Sequence, residues 1–145
     1  MSVNPLYAQL IADLGQTLGM AGLAPTHDGI CQLVFDGQHV VQLVYVPASH
    51  SVLLSCRLAD HGINADQAHR MARANFMQAG RGTVLCVAPD GRPCMQAALP
   101  LGGCTAAQLC SMLESLLDQV ESWASARVRA HASRDTDPAI YLQSV

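Results

Sequence analysis

The side chains best suited to chemistry in this chain are six cysteines and six histidines, and they form no familiar metal-binding pattern. Neither Cys-x-x-Cys nor His-x-x-x-His occurs, and the nearest pair of ligand types is His27-x-x-x-Cys31. A structural zinc site needs four clustered ligands, usually supplied by two such close pairs. The sequence therefore predicts no metal site and no cofactor.

Catalysis by a nucleophile or by an acid–base pair also lacks a motif. There is no Gly-x-Ser-x-Gly turn, and all eight cations are arginine, which excludes lysine-dependent phosphate binding, Schiff-base chemistry and lysine general bases. Asp28, Asp36 and Asp90 occupy predicted turns, where aspartate has a local structural role. The only glutamates, Glu114 and Glu121, lie on the polar face of a predicted helix. We therefore expect a protein that is not an enzyme.

The composition points to a protein that buries surface against a partner. Half of the 145 residues are hydrophobic and only 13% are charged, which leaves apolar side chains exposed unless the chain oligomerises or holds a ligand. A net charge of -3 gives no broad positive field for nucleic acid. No basic-plus-apolar leader and no apolar run near 18 residues occur, so we expect a cytosolic protein without a membrane partner. In that compartment the cysteines are expected to be free core thiols.

The predicted fold is organised around residues 65–101. The first part has apolar or small residues three and four apart, which predicts a helix that ends at Gly80. Runs 83–88 and 94–99 follow, separated by Pro89-Asp90-Gly91-Arg92-Pro93, a composition typical of a tight reversal. The sequence therefore predicts a helix followed by a β-hairpin. The helical positions are Ala65, Ala68, Met71, Ala72, Phe76 and Ala79.

The remaining elements complete an α+β fold of order α-β-β-β-α-β-β-α. A first helix begins at Asn4-Pro5 and ends near Gly19, and β-rich runs 30–35, 40–46 and 51–58 form an antiparallel meander. A last helix runs from about Ala106 to Val128. We expect one domain over residues 1–128, with a twisted antiparallel sheet flanked by helices, and a flexible tail over residues 129–145.

Two features of these elements suggest interfaces. The middle helix is rich in alanine, so another surface can approach its backbone closely. The strands at 30–35 and 40–46 are largely apolar on both faces, whereas a strand open to water on one side alternates apolar with polar residues. We therefore expect the second face of the sheet to be covered by a helix, a subunit or a bound peptide.

Several stretches in this order resemble the class I type III secretion chaperones, the CesT-like or Tir chaperone family. The resemblance covers about residues 5–128. It rests on 10–15 (LIADLG) with 18–20 (LGM), on 29–36 (GICQLVFD), on 74–76 (ANF) leading to 83–85 (TVL), on 89–92 (PDGR) and 99–101 (LPL), and on Leu113, Leu116, Leu117 and Trp123 in the last helix.

The resemblance implies a homodimer in the bacterial cytosol that binds the N-terminal segment of a secreted effector, keeps it extended and releases it at the export machinery, with the export ATPase as a further candidate partner. In that family the middle helix and the following strand build the dimer contact. The corresponding dimer residues here are Ala68, Met71, Ala72, Asn75, Phe76, Val84 and Cys86. The candidate effector-binding residues are Leu6, Ile11, Leu18, Ile30, Val34 and Val44.

Two other functions are compatible with the sequence. The same fold can serve as an adaptor or regulator that binds a component of the secretion apparatus or a transcription factor. A thiol or metal enzyme would use Cys86, Cys94 or Cys104. Thiol-reactivity mapping and metal analysis distinguish the enzyme from both binding proteins.

Overall fold

The computed structural model describes residues 3–77 and 82–136, with side chains as far as residue 124. Over these residues the chain is an α+β protein with a five-stranded antiparallel sheet, in the predicted order. The elements are α1 (Pro5–Thr17), β1 (Ile30–Phe35), β2 (His39–Val46), β3 (Ser51–Arg57), α2 (Ala65–Met77), β4 (Thr83–Val87), β5 (Pro93–Pro100) and α3 (Ala106–Thr136), with one 3-10 turn at Pro47–Ser49.

All three helices begin at a side-chain cap. Asn4 Oδ1 accepts hydrogen bonds from the N–H groups of Leu6 and Tyr7, at 2.9 and 3.2 Å. Reciprocal capping boxes open the other two helices. They join Asn64 to Gln67 at the start of α2 and Thr105 to Gln108 at the start of α3, with distances of 2.8–3.2 Å. These caps satisfy main-chain donors that a helix start otherwise leaves unpaired.

The strands lie in the order β1-β2-β3-β5-β4, so β1 and β4 are the two edges of the sheet. In this register one residue of each strand lies in a row across the sheet, and the five side chains point to the same face. Every member of this row is buried, which identifies the core face of the sheet. The row consists of Cys31, Leu43, Leu54, Ala97 and Thr83.

The first and last helices contribute their apolar faces to the same core as this side of the sheet. The Tyr7 hydroxyl donates a hydrogen bond of 2.9 Å to the main-chain oxygen of Leu43, and its ring stacks on Tyr45 at 6.1 Å between centroids. Burial, with a smaller contribution from Cys31, raises the pKa of Tyr7, so the hydroxyl keeps its proton and remains a donor. This bond ties α1 to the second strand.

The last helix is longer than the sequence pattern indicates. It continues to Thr136, beyond the predicted end at Val128, so residues 129–136 are helical where a flexible tail was expected. Alanine and arginine make up half of this extension, and both are strong helix formers even without an apolar stripe. The rest of the predicted tail, with its apolar stretch at residues 139–142, lies outside the described residues, as do residues 78–81 after α2.

Candidate functional site

The side chain of Asn75 joins α2 to the edge strand β4. Its Nδ2 donates to the main-chain oxygen of Leu85 at 2.8 Å, and the Leu85 N–H donates to Asn75 Oδ1 at 2.7 Å. Edge strands normally present such groups to any further strand, and here an amide satisfies both. Asn75 therefore closes the middle of the β4 edge.

Replacing Asn75 with alanine is expected to destabilise the fold. Leu85 would lose both partners of its main chain, in hydrogen bonds that are partly buried, and an unsatisfied group of this kind costs about 1–3 kcal/mol. Urea unfolding followed by circular dichroism measures the change. Arg73→Ala, at an exposed position of the same helix, is the matched control and should unfold near the wild-type midpoint. Equal midpoints for the two variants would contradict the structural role of Asn75.

Next to Asn75, exposed apolar side chains form what we call the α2–β4 surface, composed of Ala68, Ala72, Phe76 and Val84. The side chain of Phe76 is 82% exposed and that of Met77 is 79% exposed. Val84 is 53% exposed on β4, and α2 and β4 are in contact. Met77 lies about 100° further round α2 than Phe76, on another side of the helix, and it was not among the predicted residues. Large apolar side chains grouped in this way are typical of a surface that binds another protein.

The other predicted dimer residues have different surroundings. Met71 is only 4% exposed and belongs to the core, so its assignment to a dimer contact is corrected. A rotation of 100° per residue places Met71 and Asn75 on one side of α2 and Ala72 on another. The sequence prediction placed residues of both sides on one face, because it grouped all apolar residues three and four apart. Cys86 is half-buried on β4, where it lies opposite Cys94.

The opposite edge of the sheet, β1, is open at its centre. The Thr26 N–H donates to the main-chain oxygen of Ile30 at 2.8 Å, so the main-chain groups of Ile30 point away from β2. Main-chain direction alternates along a strand, which turns the groups of Gln32 and Val34 outward as well. Since β1 is an edge strand, these donors and acceptors are available to an added strand.

The side chains beside this edge form what we call the β1 surface, composed of Ile30, Gln32, Val34, Val40 and Val44. They lie on the sheet face opposite the core, and Val34 is 57% exposed. Gln32 and Gln42 form a polar strip across this face, with 3.3 Å between Gln42 Nε2 and Gln32 Oε1. Apolar positions flank the strip on both sides, so the face is less uniformly apolar than the sequence suggests. Val40 was not among the predicted effector contacts.

The three predicted effector contacts on the first helix separate in the structure. Leu6 is 60% exposed and Leu18 is partly buried against the core. Ile11 is fully buried, so its assignment to a binding surface is corrected. Tyr7, Ile11 and Leu14 are four and three residues apart and together make the stripe that packs into the core, which leaves Ile11 no surface to offer a partner.

The described residues show little that favours chemistry. Within residues 3–77 and 82–136, no three His, Cys, Asp or Glu side chains are grouped to hold a metal ion. Burial raises the pKa of the Cys56 thiol to about 11 and also raises the pKa of Cys86, and Cys94 is the smaller cause in both. Burial also raises the pKa of Cys104. An activated cysteine nucleophile needs the opposite shift.

One groove of about 580 Å³ lies where the end of β5 meets the start of α3. Its lining includes Leu99, Met112 and Cys104 but no carboxylate, imidazole or guanidinium group. The polar side chains of Gln108, Ser111 and Ser115 also line this groove, but it supplies no charged group. Among the described helices, none has the length and hydropathy needed to cross a bilayer.

Several solved structures share this fold. A chain in the crystal structure of the ExsC-ExsE complex superposes with a TM-score of 0.73 and 20% identity, covering 85% of this chain and 94% of that one. A chain in the HopA1-SchA chaperone-effector complex gives 0.69 and 21%, covering 81% and 92%. A chain in the ExoT-SpcS complex from Pseudomonas aeruginosa gives 0.64 and 23%, covering 83% and 98%. At these identities the likeness shows the fold.

Comparison with models of protein families identifies the family, although individual sequences do not. No curated protein sequence matches the chain. Residues 9–124, most of the sequence, match the model of the Tir chaperone protein (CesT) family, and this span runs from the first helix into the last. The match confirms the resemblance drawn from the sequence motifs, so the chain belongs to the Tir chaperone protein (CesT) family.

Proposed function

We propose that this protein is a homodimeric type III secretion chaperone that binds the N-terminal segment of an effector in an extended state and delivers it for export without catalysis. Membership of a chaperone family supports this function, and a similar fold occurs in a complex named as chaperone and effector. In this proposal the chaperone domain spans residues 1–128, and the protein acts in the bacterial cytosol.

The observation that carries the proposal is the open edge of β1. An extended peptide that pairs with the outward main-chain groups of Gln32 and Val34 would add a strand to the sheet. Main-chain pairing gives affinity with little sequence selectivity, while alternate side chains of the peptide contact the protein. On one face those contacts would come from the exposed apolar residues of the β1 surface.

The two edges of the sheet suit different binding partners. Because Asn75 occupies the centre of the β4 edge, a second copy at β4 would not extend the sheet through Leu85. The α2–β4 surface offers apolar side chains instead, which suits packing between two identical copies. We therefore assign β1 to the effector and the α2–β4 surface to the dimer.

Val34→Pro tests strand addition at β1. The Val34 N–H points away from β2, so proline removes no hydrogen bond within the sheet, and edge strands tolerate proline at such positions. A peptide strand added to β1 would lose the hydrogen bond donated by the Val34 N–H and would clash with the proline ring. We expect at least about tenfold weaker effector binding, equivalent to about 1.4 kcal/mol. Isothermal titration with a secreted protein that co-purifies with the wild-type chain measures the affinity.

Val34→Ala is the matched control because it shortens the side chain and keeps the N–H. It should bind the effector more tightly than Val34→Pro does, and both variants should keep the wild-type circular dichroism spectrum. Equal affinities for Val34→Pro and wild type would count against strand addition at β1. Limited proteolysis supplies a second measurement: the bound effector segment should be protected yet non-globular, and a segment that folds fully while bound would contradict the proposal.

A further inference from the structure

Two cysteines face one another in the hairpin that follows the α2 helix. The register places Cys86 of β4 directly opposite Cys94 of β5. The main-chain groups of Leu85 point to Asn75 and away from β5, so those of Cys86, the next residue, point toward β5. Cys86 and Cys94 are therefore a hydrogen-bonded pair, with Cα atoms about 5.5 Å apart and side chains on the same face.

This separation can accommodate a disulfide, with some strain. The Cα separation falls inside the range of about 4.4–6.8 Å found for disulfides. The Cβ atoms of directly opposite residues are about 4.5–5.5 Å apart, whereas disulfides prefer about 3.8 Å. Closing the bond must therefore draw the two strands together locally. Strained disulfides are easily reduced, and they are commonly the labile or regulatory ones.

The other four cysteines lack such a partner. Cys56 is fully buried and lies opposite Met95, on the core face of the sheet, which is the face away from Cys94. Cys31 lies in the distant edge strand β1. Cys104 precedes α3 and Cys110 lies within it, outside the β4–β5 ladder. Cys86 combines partial exposure to a reagent with a second thiol directly across the ladder.

We propose that Cys86 and Cys94 are a site of reversible intramolecular disulfide formation. A two-electron oxidant such as diamide, which contains an N=N bond, can carry out the step. The Cys86 thiolate adds to one nitrogen, and the Cys94 thiolate then attacks the Cys86 sulfur. One S–S bond forms, the reagent leaves as the hydrazine, and it has gained the two electrons and two protons lost by the thiols. The product links β4 to β5 beside the α2–β4 surface.

Peptide mapping tests the proposal on the full chain. The folded protein is treated with diamide, denatured, alkylated with N-ethylmaleimide and cleaved before aspartate. Asp90 lies between the two cysteines, so they fall in separate peptides, residues 66–89 and 90–117. We expect these peptides to be linked, with fragment spectra that place the bond at Cys94 rather than at Cys104 or Cys110. Reduced glutathione should separate them.

Serine variants identify the pair. Cys86→Ser, at the half-exposed position, should abolish the link, and the control variants Cys104→Ser and Cys110→Ser should retain it. The proposal is overturned if diamide leaves all six thiols open to alkylation, if the link persists in Cys94→Ser, or if reduced glutathione fails to cleave it. The bond joins two strands of one chain, so its failure leaves the proposed chaperone function standing.

Discussion

Phe76→Asp is expected to convert a dimer of this protein into folded monomers. Phe76 is almost fully exposed in the single chain, so a carboxylate there disturbs no core contact. In a symmetric dimer each substitution occurs twice, and both carboxylates would be buried against apolar surface without a partner. Loss of a central aromatic contact costs about 2 kcal/mol or more, so we expect the dimer to weaken at least about 30-fold. Sedimentation equilibrium measures the dissociation constant.

Two variants control for the added charge. Met20→Asp places a carboxylate at another exposed apolar position, in the loop between α1 and β1. Val34→Asp does so on the β1 surface. Both should remain dimeric, and Val34→Asp should bind the effector weakly while Phe76→Asp should keep the β1 surface intact. A Phe76→Asp variant with the wild-type dissociation constant and an unchanged circular dichroism spectrum would rule out this interface, and so would a wild-type protein that sediments as a monomer.

Ile11→Ala is expected to cause the largest loss of stability. Ile11 is fully buried between the sheet and the helices, and truncation of such a side chain leaves a cavity in the core. The free energy of unfolding should fall by about 2–5 kcal/mol, a large share of the total for a domain of this size. Urea unfolding monitored by circular dichroism measures the change.

Leu6→Ala is the matched control on the same helix. Leu6 is mostly exposed, so its truncation should leave the free energy of unfolding within about 0.5 kcal/mol of wild type. Under the proposed function Leu6→Ala weakens effector binding instead. If Ile11→Ala kept the wild-type stability but bound the effector poorly, Ile11 would belong to the binding surface after all.

Much of the fold follows from local sequence signals. Short β-rich runs at hairpin spacing along residues 30–58 predict the meander, and the Pro89–Pro93 turn predicts the β4–β5 hairpin, because both depend on residues close together in the chain. Helix starts are equally local, since Asn4, Asn64 and Thr105 cap the next turn of their own helix. The order of elements and the family resemblance come from the same short-range patterns.

Gly15, at the end of a short motif, has a structural role that the sequence pattern does not explain. The stretch LIADLG contributes to the resemblance, but its spacing does not explain why Gly15 ends it. In the structure a Cβ atom on Gly15 would lie 2.7 Å from the main-chain oxygen of Met20 and 2.8 Å from Leu23 Cβ. The loop after α1 folds back against the helix at this point, and only glycine leaves room for it.

The sequence by itself determined the kinds of element, their order and the abundance of apolar surface. Only the tertiary structure decided which apolar residues that surface contains. Ile11 and Met71 are buried in the core, while Phe76 and Val34 are exposed. It also decided that the β4 edge is closed and the β1 edge is open, because Asn75 meets Leu85 across two elements. Periodicity shows that residues share a face, but what covers the face depends on contacts between elements that are distant in the chain.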